Sequence, residues 1–246
     1  MLLAAALATF AAAALQSASG FGFALIAAPV FLAVLGPEEA VATVLALGVA
    51  VNVLMLAGER RPTEIRKADL MLPLAVAVPG LGLGVLVLQA LDKGPLQVAV
   101  GISVLTTVGL MVRPGPLPSH RPDGDRAPAL DSAVGLTVGV LTTSTSVNGP
   151  PLLLWLVAKG ATPTEVRDTL ALAFVSLNLA GLAVVVVAEG GLGVLDAQLL
   201  LLLPLTAAGW LAGRVVFGLL DPQRFRALNL ALAALTGVGS LAAGVL

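Results

Sequence analysis

The 246-residue chain has no cysteine and a single histidine. Without cysteine there can be no disulfide, no thiolate nucleophile and no zinc–thiolate centre. The histidine, His120, lies in a Pro-rich charged stretch and reads as solvated, not as a ligand. Charge is scarce as well. Asp, Glu, Lys and Arg make up 11% of the chain, against about 25% in a soluble domain. The net charge of −1 excludes nothing by itself, and no nucleic-acid partner is expected. What the chain has is apolar sequence, 58% of its residues, in long runs repeated along its whole length. That identifies an all-α polytopic membrane protein. Alternating ten-residue segments, the mark of a β-barrel, are missing. Met1–Leu15 is apolar but has no basic flank, so it reads as the first membrane element, not as a cleavable signal.

The apolar runs cover roughly 1–35, 40–57, 69–91, 96–112, 130–158, 168–188, 197–219 and 227–246. Between the fourth and fifth lies "RPGPLPSHRPDGDRAPAL", 113–130, a solvent-exposed linker by composition. The expected organisation is a first membrane repeat at 1–112, the linker at 113–130, and a second repeat at 131–246. The halves resemble each other. A shift of 126 residues aligns Pro37 with Pro163, Glu39 with Glu165, Thr43 with Thr169, and Asn52 with Asn178. It also sets Ser17 and Ser19 on Thr143 and Thr145. Further on, a shift of 129 aligns Gly80 and Gly84 with Gly209 and Gly213. Each of these pairs is a G-x-x-x-G, which lets membrane helices approach closely. Internal duplication is common among transporters.

The first run of each half is unusual. A 35-residue helix would be about 50 Å long at 1.5 Å per residue, too long for a core of about 30 Å. Run 1–35 is also interrupted by "SASGFG", and run 130–158 by "TTSTSVNGPP". The charges discriminate between a single crossing and a hairpin that dips in and returns. If both runs cross once, the basic residues divide almost evenly between the two sides. If both return, the segments 58–68, 113–130, 158–167 and 214–226 share a side and hold twelve of the thirteen Lys and Arg residues. That is a strong positive-inside signal. The expected fold is therefore two inverted repeats, each a broken, re-entrant-like hairpin plus three transmembrane helices, with the linker cytoplasmic and both chain ends external.

Such an arrangement brings the two breaks together near the midplane. Helices restarting at about Phe23 and Pro151 would aim their N-termini there, and such termini attract anions. The candidate substrate-binding residues are Ser17, Ser19, Gly20 and Gly22 in the first break. In the second they are Thr143, Ser144, Thr145, Ser146, Asn148 and Gly149. Asn52 and Asn178 are added from otherwise apolar helices. The blander reading is that a membrane Ser or Thr bonds a backbone carbonyl, and that Asn joins helices. No charged residue lies near the centre of a span, so an anion would be held by dipoles and neutral donors. Arg214 is read as snorkelling to the surface. Trp155 and Trp210 are read as either interface anchors or cavity walls.

"ASGFGFALIAAPVFL", "STSVNGPPLLLWLVAKG" and the closing "GRVVFGLLDPQRFRALNLALAALTGVGSL" resemble the sulfite exporter TauE/SafE family (the 4-toluene sulfonate uptake permease family) over essentially the whole chain. The first break has a sparser glycine run than the family pattern, and the second is more hydroxylic. The resemblance implies transport of a sulfur-containing anion, such as sulfite or an organosulfonate like sulfoacetate, across the bacterial inner membrane. The expected partners are that small anion and the lipid bilayer, with homo-oligomerisation left open and no cofactor. An anion channel of the same architecture is the alternative. A membrane enzyme is disfavoured, because the spans place no base or metal ligand beside the hydroxyls.

Overall fold

The computed structural model describes residues 2–59, 61–112, 126–195, 198–219 and 222–245. These residues form ten α-helices, a short 3-10 turn at 192–194 and no strand. The helices are α1 (Leu2–Ser19), α2 (Phe23–Val34), α3 (Pro37–Ala57), α4 (Lys67–Ala90) and α5 (Lys93–Val112), then α6 (Arg126–Ser144), α7 (Gly149–Ala158), α8 (Pro163–Ala188), α9 (Gln198–Leu219) and α10 (Pro222–Val245). Among the described residues α1, α3, α4, α5 and α8 are long and apolar enough to cross a membrane. α9 and α10 contribute shorter apolar stretches, 199–215 and 230–245. Most of the proposed linker, 113–125, lies outside the described residues, and residues 126–130 already belong to α6.

Local chemistry explains the boundaries. α3 starts after Gly36 with Pro37 in its first turn, followed by Glu38 and Glu39 at the positive end of the dipole. α8 starts with a full capping box. Thr162 Oγ1 accepts from Glu165 N, and Glu165 Oε2 accepts from Thr162 N. Inside α2, Pro29 deprives the Leu25 carbonyl of its helical donor. Thr236 of α10 replaces that donor, its hydroxyl 3.0 Å from Leu25 O, as low-dielectric surroundings demand.

The helix pairs come in matched sets. α4 runs alongside α6 in the same direction, with Pro73 beside Gly135 and Gly80 beside Gly139. α1 runs alongside α9 likewise, with Phe10 beside Gly209 and Ala14 beside Gly213. α3 and α8 are antiparallel, with Gly48 opposite Asn178 and Leu45 opposite Gly181. α5 and α10 are antiparallel too, with Gly94 near Gly244 and Gly101 near Gly237. The cross-links match in the same way. Ser17 Oγ donates to Trp210 O at 2.9 Å, and Thr143 Oγ1 donates to Leu81 O at 2.7 Å. The shift of 126 carries Ser17 to Thr143, and the shift of 129 carries Leu81 to Trp210.

Both broken elements have a long arm and a short one, 18 and 12 residues in α1/α2 and 19 and 10 in α6/α7. The hydroxyl residues 142–144, placed by the sequence within the second interruption, instead continue α6: Thr142 and Ser144 donate to the carbonyls four residues back and Thr143 donates to Leu81 O of α4. The open end of the second pair is closed by Lys159, whose Nζ is 2.8 Å from Asp131 Oδ2 and 3.3 Å from Asp69 Oδ1. Trp155 Nε1 donates to Asp131 Oδ1 at 2.7 Å. The same face carries Glu59, Arg61, Arg66, Arg167 and Asp168, and Arg214, which donates to Gly58 O. At the other ends of the helices, Lys93 Nζ donates to Leu35 O and Gln89 meets Glu189.

Candidate functional site

The two breaks converge on one cavity. It has a volume of about 30 Å³, room for roughly two or three waters. Residues 21–25 of the first break and 146–150 of the second line it, facing residues 44–52 of α3 and 174–178 of α8. Those segments are near the middle of the two antiparallel helices, so the cavity lies at mid-height in the bundle. No charged side chain lines it.

Its polar wall is built around Gln16. The Gln16 side chain accepts from Phe23 N, the first residue of α2, at 2.9 Å. It donates to Asn52 Oδ1 at 2.8 Å, and Asn52 Nδ2 donates to Gly48 O at 2.7 Å. One amide chain thus ties the end of α1, the start of α2 and the middle of α3. Across the cavity, Asn148 precedes α7 and donates from Nδ2 to Thr142 Oγ1, which donates to Val138 O. Asn178 projects from α8 to within 2.5 Å of where a side chain on Gly48 would begin. Phe21, Phe23 and Phe174 supply apolar walls.

Ser146 is the exceptional residue. Its φ is +61°, in the left-handed region, and it is the only described non-glycine residue with positive φ. Gly20, its counterpart under the shift of 126, has φ +87°. The chain therefore makes the same left-handed turn in both breaks but places a side chain on one of them. That hydroxyl is buried, lines the cavity, and has no hydrogen-bond partner. An orphaned buried hydroxyl is costly.

Residues 5–240 match the profile of the Sulfite exporter TauE/SafE family. The chain belongs to that family. No curated protein and no solved structure matches it. TauE/SafE proteins are membrane transporters of sulfur-containing anions.

In this TauE/SafE protein, six of the twelve residues nominated from sequence share the cavity: Gly22, Asn52, Ser146, Asn148, Gly149 and Asn178. Ser17 and Thr143 do not. Their hydroxyls bind neighbouring helices, as described above. Ser19 Oγ is within 2.7 Å of Leu15 O and 2.6 Å of Phe21 O, so it holds the break closed. Gly20 faces the Arg167 stem. Ser144 and Thr145 bond back to Val140 O and Leu141 O. They line a second, smaller cavity of about 10 Å³, which shares Ser146 and Val44 with the first. Trp155 and Trp210 line neither cavity. Lys159 lies 4.6 Å above the Trp155 ring and Arg214 5.0 Å above that of Trp210, both on the charged face.

The helix restarts also differ in detail. α7 begins at Gly149 with Pro150 and Pro151 in its first turn, which removes two of its free N–H groups. α2 has its first N–H taken by Gln16. Both N-termini still border the cavity, beside the unpartnered Ser146 hydroxyl. Gln16 was not among the nominated residues. The signal for it was present, since it opens "QSASGFG" and corresponds to Thr142, a residue of the hydroxyl run.

Proposed function

We propose that this protein is a secondary transporter in the bacterial inner membrane. Its substrate is a small sulfur-containing anion, sulfite or an organosulfonate such as sulfoacetate, bound in the cavity between the breaks. The observation that carries the reading is the orphaned, buried Ser146 hydroxyl in an uncharged cavity at mid-height, bordered by the N-termini of two half-helices. Each helix N-terminus is worth roughly half a positive charge, so two of them offset a singly charged anion without a salt bridge. Neutral donors hold such an ion loosely enough to release it.

The transporter architecture in this reading is a pair of inverted repeats, 1–112 and 131–246, joined by a cytoplasmic linker. Antiparallel α3/α8 and α5/α10 support it, because equivalent helices then run in opposite directions. The exchange of Ser17–Trp210 with Thr143–Leu81 supports it further. The positive-inside rule puts the face of Arg61, Arg167 and Lys159 in the cytoplasm.

The test is binding and exchange by the purified protein. Calorimetry with a panel of sulfite, sulfoacetate and other sulfonates should show saturable binding that Asn178→Ala and Asn148→Ala weaken. In liposomes, anion on the far side should accelerate uptake, as a carrier requires. Ohmic current without that acceleration would indicate a channel, and no binding across the panel would overturn the reading.

A further inference from the structure

The α3–α8 seam that walls the cavity continues to the charged face, where it ends in an ion pair. Along α3 helical spacing carries the Gly48 face through Asn52 and Met55, and Glu59 follows two residues past the helix end. Along α8 the facing positions run in the opposite direction through Asn178, Phe174, Ala171 and Arg167. Gly48 and Asn178 meet in the cavity, and Glu59 and Arg167 meet at the end. α3 ends at Ala57, about 7.5 Å of helix past Asn52, and Glu59 follows just beyond it. Arg167 Nη1 donates to Glu59 Oε2 at 2.7 Å. The neighbouring pair, Arg61 with Asp168, is two-pronged at 2.9 Å for both bonds. Hydrogen bonding to Asp168 holds the Arg61 guanidinium above its ordinary pKa.

Arg167 is not saturated by these contacts. Its Nε is buried and has no partner. Its Nη2 makes only a 3.5 Å contact to Ser17 O. Its stem packs against Gly20 of the first break, where an added Cβ would lie 2.9 Å from Arg167 Cγ. The residue thus touches the break, closes the seam, and keeps its Nε–H unpaired. Duplication does not account for it. The shift of 126 puts Val41 and Ala42 where Arg167 and Asp168 stand, and Val41 lines the smaller cavity.

We propose that the Glu59–Arg167 pair locks the charged-face end of the pathway, and that Arg167 is a second docking site for the transported oxyanion. An anion moving between the cavity and this face takes the place of the Glu59 carboxylate on the guanidinium. A planar fork suits the oxygens of a sulfite or sulfonate group. The docking role rests on the cavity being the transport site, whereas the lock does not.

The chain has no cysteine, so a single introduced thiol reports on access. Met55→Cys lies on the buried stretch of seam between lock and cavity. In vesicles presenting the charged face outward, a membrane-impermeant thiol reagent should label it slowly. Glu59→Gln should raise that rate about tenfold, as expected for loss of a charge-assisted hydrogen bond. Sulfite on the same side should raise it with Glu59 and Arg167 intact and should have no effect with Arg167→Gln. Arg167→Lys keeps the charge and loses the fork. It should retain slow labelling and weaken the response to sulfite, and it stands in if the Gln variants fold poorly. Unchanged labelling in Glu59→Gln overturns the lock. Sulfite that binds the wild-type protein by calorimetry yet leaves labelling unchanged overturns the dock and spares the cavity. Failure of sulfite and the sulfonates to bind at all overturns the cavity reading and the dock together, and the labelling with and without Glu59 still decides the lock.

Discussion

Ser146→Gly should make the protein more stable and a poorer binder. Ser146 holds φ +61° with its hydroxyl buried and unpartnered. A non-glycine residue in the left-handed region costs roughly 1–2 kcal/mol. An unsatisfied buried hydroxyl adds about 1–3 kcal/mol. Glycine removes both costs, offset by about 0.5–1 kcal/mol of extra unfolded-chain entropy. The net is a gain of at least about 1 kcal/mol, a rise of a few degrees in melting temperature. The backbone turn itself is preserved, because Gly20 makes the same turn in the first break with φ +87°. If the hydroxyl donates to a bound anion, its loss removes a hydrogen bond to a charged group, worth about 1.5–3 kcal/mol. The dissociation constant should then rise roughly 10- to 100-fold. Thermal melts and calorimetry with sulfite on one preparation measure both effects. A more stable variant that binds as wild type would refute the argument that Ser146 is kept for the ligand. A less stable one would refute the strain argument.

Gly48→Ala should weaken binding with little loss of stability. Its Cβ would start 2.5 Å from Asn178 Nδ2 and push that amide into the cavity. Gly101→Ala, on the α5–α10 seam 2.9 Å from Gly237 O, should do the reverse, and equal affinity loss in both would show that the cavity is not special. Gln16→Leu should lower both stability and affinity, since it strands Phe23 N and Asn52 Oδ1. Normal melting would mean that water replaces the amide. Gly84→Leu and Gly213→Leu should cut folded yield, because their side chains would enter the backbones of α6 and α1 at Val140 O and Ala14 O. Normal yield with altered transport would mark them as pathway residues. Cysteines placed at Asp123 and Glu189 should label from opposite sides of the membrane, and labelling from one side would sink the inverted arrangement.

Much of this protein is legible without coordinates, because its strongest signals are local. The breaks fall within "SASGFG" and "TSTSVNGPP", at Gly20–Gly22 and just before Gly149-Pro150-Pro151, although the hydroxyls through Ser144 still belong to α6. Thr162 with Pro163 and Glu165 encodes the start of α8 within four residues. Duplication is visible because Asn52 and Asn178 and the paired glycines recur at nearly constant offsets. Of the Lys- and Arg-rich segments, 58–68, 158–167 and Arg214 meet on one face, as Arg61 with Asp168, Lys159 with Asp69 and Arg214 with Gly58 O show among the described residues.

Which polar groups face the cavity was decided only by tertiary packing. Successive residues on a helix point about 100° apart, so rotation alone separates neighbours with the same chemistry. Gln16 enters the cavity wall while Ser17 turns to Trp210 O on α9. Thr143 turns to Leu81 O on α4, while Ser146, three residues on and past the helix end, is left open to the cavity. The sequence determined that a hydroxyl would be near each break, and the neighbouring helices determined whether its proton was already taken. The Glu59–Arg167 pair spans 108 residues. It exists because α3 and α8 run antiparallel, a relation that no window of local sequence contains.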